Sequence, residues 1–372
     1  VAPLRVPELA PLEVAARLPR LRQRFEAAEV DALVVTNLTN VRYLTGFTGS
    51  AAVLAITAEG ALLTTDGRYR TQSAEQLTAA GMHGVIDLCI GGVDVQRDAL
   101  GGLLATGVVG LEADSVTWAQ ATGWEERLGR SLVATSGVVE ALRQVKDAGE
   151  LARMGHAAAI ADAALRDVLS NLGAPGMTEE GFAHLLDSRI RQLGAEGNSF
   201  ETIVASGENS AKPHHHPGSR EIRQGDPVVL DFGALFEGYC SDMTRTFVVG
   251  GEPTGELAEI FALVAAANAA GEAALRPGVS TRAIDEVCRT LITDAGYGER
   301  FEHSTGHGIG LDVHEMPWVS TQGTAILEPG VVVTVEPGVY VAGIGGVRIE
   351  DTLVITTDGA EPLTKFTKDV AA

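Results

Sequence analysis

Asp231, Asp242, His307, Glu336 and Glu350 follow one another down the second half of a 372-residue chain, each in its own apolar or glycine-rich run. Asp231 stands in VVLDFGALF, Asp242 in YCSDMTRTF, His307 in STGHGIGLDVHE, Glu336 in VVVTVEPGVY and Glu350 in GVRIEDTLVI. The β-branched runs read as buried strands. A buried carboxylate is costly unless its charge is compensated, and the nearest cations in these segments are Arg245 and Arg348. Two divalent cations would balance the four acids. Oxygen ligands with a single imidazole suit manganese, zinc, cobalt or iron better than a thiolate-preferring ion. Such a pair activates water for attack on a carbonyl, so the pattern points to a two-metal hydrolase. Any one of these acids alone reads as a solvated or arginine-paired strand or turn residue. The five motifs together, in this order, do not.

The elements that must bring them together can be read from the same runs. A turn at Phe236-Glu237-Gly238 folds the strand around Asp231 back onto the strand around Asp242. With an even-length loop the two acids fall opposite or diagonal to each other on one sheet face, and an odd loop or a bulge would break that parity. Glu336 ends an apolar run at a Pro-Gly, and Glu350 lies in the run after the Gly343 to Gly346 turn, so all the ligands are expected on the rim or strands of one sheet. An alanine-rich helix is expected over 148–172, with Asp147 as N-cap and Glu150 as its capping-box partner. Further helices are expected over 178–193, 255–274 and 282–295. In the first half, periodicity predicts a helix over 12–28, strands over 32–36, 51–57 and 61–65, a helix from Tyr69 into Leu77, and further α/β alternation over 108–128. Two domains follow, 1–142 and 143–372.

Taken together, these motifs resemble the metallopeptidases of the pita-bread fold, the group that holds methionine aminopeptidase, aminopeptidase P, prolidase and creatinase. The resemblance covers roughly residues 150 to 365, with a weaker N-terminal match. It implies an α/β (α+β) architecture: a creatinase/prolidase-like N-terminal domain, then a pita-bread catalytic domain. It also implies two divalent metal ions per subunit, manganese foremost, with zinc or cobalt as alternatives. In the family pattern Asp242 and Glu350 bridge both ions, His307 and Glu336 complete one site, and Asp231 completes the other. Glu336 doubles as the proton acceptor. His214, His303 and His314 fall on further active-site histidines, and Arg348 is placed to orient ligands or pair with a substrate group. Tyr340 is a weaker candidate. Creatinase lacks this metal set, and methionine aminopeptidase normally lacks the first domain. Residues 43–50 (YLTGFTGS) and 65–69 (TDGRY) resemble segments of that domain in aminopeptidase P, although as bare residues they are turn chemistry. The implied activity is therefore Xaa-Pro aminopeptidase, with Xaa-Pro dipeptidase (prolidase) as the alternative. A catalytically silent binding module is the reading of another class, and the intact ligand set argues against it. Small proline-containing peptides are the implied substrates and a homodimer the implied assembly.

In the run Pro213-His214-His215-His216-Pro217 the family pattern picks His214, leaving His215 and His216 as expected bystanders. His303 and His307 are four apart, but glycines at 306, 308 and 310 argue against a zincin helix. His156 and His184 read as structural and His83 as a loop residue. The formal charge of −21, without a basic cluster, excludes nucleic acid and anionic membrane surfaces as expected partners. Three cysteines without paired spacing, Cys89, Cys240 and Cys288, fit a reducing compartment, and no signal peptide is legible, so a cytoplasmic location is expected. The apolar stretch 330–347 is broken by Glu336, Pro337 and glycines and does not read as a membrane span.

Overall fold

A computed structural model describes residues 3–369. It divides into two units, Leu12–Arg143 and the remainder from Gln144 onward, which takes in the N-terminal segment through Pro11. Leu4 N–H donates to the Leu193 carbonyl at 2.8 Å within that second unit.

The first unit is a mixed six-stranded sheet in the order Asp87–Ile90, Ala61–Thr65, Ala52–Thr57, Ala32–Val35, Val109–Glu112, Val133–Thr135. Its central neighbours are antiparallel and its outer pairs parallel. Val34, Ala55, Val109 and Leu111 pack with Leu100 and Leu104 and with Trp124, from the helices around Val93–Leu103 and Trp118–Leu128. Thr117 and Gln120 close a capping box on the second of these helices. The expected helix over 12–28 is shorter: a 3-10 turn at Val14–Ala16 leads into Arg17–Arg22, and turns follow. The strand Asp87–Ile90 and the helix Val93–Leu103 have no clear sequence period, because Gly91-Gly92 and Gly101-Gly102 interrupt it.

In the second unit, helices Ala148–Val168 and Glu179–Gln192 pack together, as do Glu256–Ala274 and Thr281–Asp294. The predicted capping box at Asp147 and Glu150 is present. The first helix pair covers Leu230, Phe232 and Met243; the second covers Val333, Val335 and Val347. Each such fully buried side chain contributes about 1.5–3 kcal/mol, which offsets the unfavourable burial of the acids on the same strands. Helix Glu256–Ala274 is long and apolar enough to cross a bilayer by length and composition alone. Here Ile260, Phe261, Val264 and Ala267 face the core, and buried Asn268 donates to the Val335 and Ile349 carbonyls.

The ligand strands do not form the single sheet expected. Ile203–Ser206, Pro227–Phe232 and Met243–Val248 make one three-stranded sheet. Glu315–Val319, Gly306–Gly308, Val332–Val335, Asp351–Ile355 and Ala360–Pro362 make another, and Gly338–Val341 pairs with Gly345–Arg348 as a hairpin. Glu350 N–H donates to the Thr244 carbonyl at 3.1 Å, and Thr246 Oγ1 to the Arg348 carbonyl at 2.8 Å, so the strands meet edge to edge at the acids.

Candidate active site

Asp231 lies opposite Thr244 in the antiparallel pair, so Asp242, one residue ahead of its strand, is diagonal to it. The diagonal, same-face arrangement is one of the two that an even loop permits. His307 sits between two glycines that must remain bare. A Cβ at Gly306 would lie 2.0 Å from the Thr334 carbonyl oxygen, and one at Gly308 would lie 2.2 Å from that of Met316. Glu336 leaves the end of Val332–Val335 and donates its N–H to the Thr305 carbonyl at 2.8 Å. Glu350 occupies the junction between Gly345–Arg348 and Asp351–Ile355 and accepts from Thr244 Oγ1 at 2.7 Å. All five line one cavity of about 270 Å³, together with His214, His303, His314 and Arg348.

Asp242, His307 and Glu350 each present a ligand atom within 4.8 Å of the others. His307 Nε2 lies 3.4 Å from Glu336 Oε1 and 3.6 Å from Asp242 Oδ2. Its Nδ1 is 3.0 Å from the Gly308 carbonyl; donation there places the lone pair on Nε2, toward the carboxylates. Burial drives the carboxyl of Asp242 well above the usual range, and the charges of Glu350 and Asp231 add to it. Glu350 is raised likewise, by burial first and then by Glu336 and Asp231. Burial, reinforced by Asp231, lifts Glu336 to about 7.

Seven buried side-chain nitrogens and oxygens among the described residues have no hydrogen-bond partner, and three are carboxylate oxygens of this cavity: Asp231 Oδ1, Asp242 Oδ1 and Glu350 Oε1. Leaving a buried acceptor unsatisfied costs about 1–3 kcal/mol. Three together, beside an imidazole lone pair, fit divalent cations: hard oxygen donors plus one nitrogen, with excess negative charge. The residues present suit a metal pair.

Arg348 is fully buried within this cluster and its donors are committed. Nη2 reaches Asp231 Oδ2 at 2.5 Å, Nη1 reaches Tyr340 Oη at 2.9 Å and the Pro213 carbonyl at 3.2 Å, and Nε reaches Thr244 Oγ1 at 3.1 Å. Arg245 is turned away. It donates to Asp351 and to the Phe366, Thr367 and Glu350 carbonyls. The His303 ring lies 2.9 Å from Tyr340 Oη and edge-on to Phe301, and burial with the nearby Arg348 charge lowers its pKa to about 3. His314 packs edge-on against His307 with ring centroids 4.4 Å apart, and its pKa is lowered by burial and then by His307. His215, expected as a bystander, has its Nε2 2.8 Å from buried Glu179. His216 is 83% exposed, beside Glu201.

An apolar wall of the cavity is formed by Phe200, Ile203, Val313 and Trp318, of which Val313 alone falls within one of the motifs above. The signal for Trp318 was the period-2 run Glu315–Val319, in which Met316 and Trp318 face out while Glu315, Pro317 and Val319 are buried. Phe200 and Ile203 carry no comparable signal, since Phe200 lies in irregular chain and Ile203 only opens the strand Ile203–Ser206.

Two family profiles match the chain: Metallopeptidase family M24 over residues 152–357 and the Creatinase/Prolidase N-terminal domain over 17–145. Uncharacterized peptidase YqhT of Bacillus subtilis is 41% identical over 357 residues, 95% of this chain and 99% of that protein. The structure of Xaa-Pro dipeptidase from Bacillus anthracis is similar with a TM-score of 0.91 at 39% identity, covering 96% of this chain and all of that one. X-Pro aminopeptidase from Thermotoga maritima gives 0.83 at 35% identity, covering 94% of this chain and all of that one. With these matches and this cavity, the chain belongs to metallopeptidase family M24, as a peptidase with a creatinase/prolidase N-terminal domain and a pita-bread catalytic domain.

Proposed function

We propose that this protein is an Xaa-Pro aminopeptidase, releasing the first residue of peptides that carry proline second. Asp231, Asp242, His307, Glu336 and Glu350 would hold two divalent ions, manganese being the expected metal. The observation that carries the metal reading is the trio of orphaned carboxylate oxygens in one cavity. When bound, the ions supply Lewis-acid activation of a water molecule and of the scissile carbonyl.

The chain's own groups account for the remaining chemistry. Glu336, whose carboxyl sits near 7 in the protein alone, accepts the water proton at its carboxylate oxygen and passes it to the leaving nitrogen. His314 and His214 line the cavity and donate hydrogen bonds to oxygen as negative charge develops on it. Arg348 holds Asp231 in place rather than binding substrate. The Xaa-Pro bond is a tertiary amide without an N–H, so recognition must come from packing of the ring. His303, braced by Phe301 and Tyr340, offers an imidazole face for that.

Committed donors on Arg348 favour the aminopeptidase reading. A dipeptidase receives a free carboxylate on the proline itself, which a cation would read strongly. Among the described residues Arg348 is the one arginine or lysine that lines this cavity, and its guanidinium already serves Asp231, Thr244, Tyr340 and the Pro213 carbonyl. The second reading, prolidase, is supported by the similarity to Xaa-Pro dipeptidase from Bacillus anthracis. Hydrolysis of Gly-Pro and of Ala-Pro-Ala, with manganese supplied, separates the two. Ala-Pro-Ala should be cleaved at least as fast, and acetyl-Ala-Pro-Ala poorly. Turnover confined to Gly-Pro moves the assignment to prolidase, and release of methionine from Met-Ala-Ser moves it to methionine aminopeptidase.

A further inference from the structure

Three consecutive histidines leave one loop in three directions. His214 lines the cavity, His215 meets Glu179, and His216 points outward beside Glu201 at 3.5 Å. The backbone at 212–220 has no helix or strand to fix it, so its course is set by individual contacts. Glu179, the first residue of helix Glu179–Gln192, is wholly buried and gathers most of them. Its carboxylate accepts from the Ser206 N–H and hydroxyl at 2.8 Å, from the Asn209 amide at 3.0 Å and from the Gly218 N–H at 3.3 Å. With His215 at 2.8 Å, one carboxylate ties both ends of the 206–218 loop and its middle. On the other flank of His214, the Pro213 carbonyl accepts from Arg348. The cavity histidine is thus held on either side by its chain neighbours.

We propose that Glu179 and His215 are positioning residues, which fix the loop so that the His214 imidazole faces the cavity. A histidine suits this place because its ring spans from the half-open loop to a buried carboxylate while placing a single polar tip there. A shift of about 1 Å in a group that meets the substrate is enough to cost one to two orders of magnitude in rate. The inference rests on the reading that His214 meets the substrate, and its test separates the two.

The test is a double-mutant cycle between His215→Ala and His214→Ala, with His215→Gln beside it, on the manganese-loaded full chain cleaving Ala-Pro-Ala. If His215 acts through His214, His215→Ala lowers kcat/KM about tenfold in the native background and less than about twofold once His214 is gone. His215→Gln, which keeps a donor toward Glu179, recovers most of that loss, and metal content stays level in every variant. Equal losses in both backgrounds, or no loss in the native one, overturn the proposal. Histidine-labelled NMR of the same variants prepared metal-free, so that no paramagnetic manganese broadens the signals, reads the loop without turnover. His215→Ala should move the His214 ring resonance toward its solvent-exposed position, and His215→Gln should not. A wild-type protein inert toward every Xaa-Pro peptide defeats the functional reading alone. The NMR result then decides the loop, and an unmoved His214 resonance overturns it.

Discussion

Asp242, Glu350 and Glu336 share one cavity with Asp231, and at neutral pH they tolerate this only if positive charge joins them or protons do. This gives the metal-free protein a definite pH dependence. All three carboxyls are raised in the folded state, so the folded chain binds more protons than the unfolded one and stability falls as pH rises. The cost is absent below the ordinary carboxylate range and grows up to the raised folded values. For Glu336 alone, lifted to about 7, it amounts to roughly 3 kcal/mol. Thermal melts in a chelator should therefore drop between about pH 5 and about pH 8, while manganese-loaded protein holds its midpoint. A chelated protein with a flat profile would contradict the proposed ligand set. Asp242→Asn should lose both metal and activity yet remain folded, since it removes a charge that both ions would share. His307→Ala should lose metal, whereas His314→Ala should keep it and lose about two orders of magnitude in kcat/KM; metal analysis beside kinetics decides this. Full occupancy in both histidine variants would undo the division of roles. The five positions stood out in the sequence because an acid or imidazole inside an apolar run is anomalous on its face. The partner of His215 did not, because Glu179 lies 36 residues away with no local pattern to announce it.

Helix and strand periods placed most elements of the second unit to within a few residues; three of the four long helices open on a side-chain cap, at Asp147, Thr178 and Ser280, while Glu256–Ala274 follows a bare glycine. Strand order was less legible. Alternation tells which way a side chain faces, not which edge its strand joins, so the ligand strands were expected in one sheet and lie in two. The bracing of the ligand strands from outside was also hidden, because it uses long-range polar contacts. On helix Thr281–Asp294, Asp285 and Arg289 form an i,i+4 pair turned toward the segment before His307. Asp285, wholly buried, accepts from Thr305 Oγ1 at 2.8 Å, and Arg289 donates to the Phe301 and His303 carbonyls while lying over the Phe301 ring. Removing the acid strands the Thr305 donors and leaves the arginine without its counter-charge. Asp285→Ala should therefore cost about 3 kcal/mol in denaturant unfolding. Asp285→Asn, which keeps an acceptor for Thr305, should cost less. Equal and small losses in both variants would show that the pair is dispensable.

The catalytic unit is closed by its own C-terminal strand and the segment beyond it. Leu363 donates its N–H to the Thr352 carbonyl, and the Lys365 and Phe366 N–H groups both go to buried Asp162. Lys368 reaches Asn268, Glu272 and Asp351, and the Phe366 ring packs edge-on against Phe247. Arg245, 2% exposed, links this segment to the site. Its guanidinium donates to the Phe366 carbonyl at 2.7 Å and to the Glu350 carbonyl at 2.5 Å. The main chain of a proposed metal ligand is thereby fastened to residues that contribute nothing to the cavity. Deleting residues from 364 onward would strip Asp162 of its two amide donors, Asp351 of Thr364 and Lys368, and Arg245 of the Phe366 and Thr367 carbonyls, while the Arg245–Asp351 pair itself stays. Each buried group left short of a hydrogen-bond partner costs about 1–3 kcal/mol, and several are lost at once, so the truncated chain should fold poorly and hold little metal. Two milder variants keep the test informative if the truncation does not fold. Lys368→Ala removes one partly exposed anchor and should lower the melting midpoint modestly with metal retained. Asp162→Ala frees two backbone amides of the strap and should weaken manganese binding, measured by titration of the folded apoprotein, although Asp162 itself is no ligand. If manganese affinity in Asp162→Ala equals that of the native chain while its stability falls, the strap supports the fold without reaching Glu350.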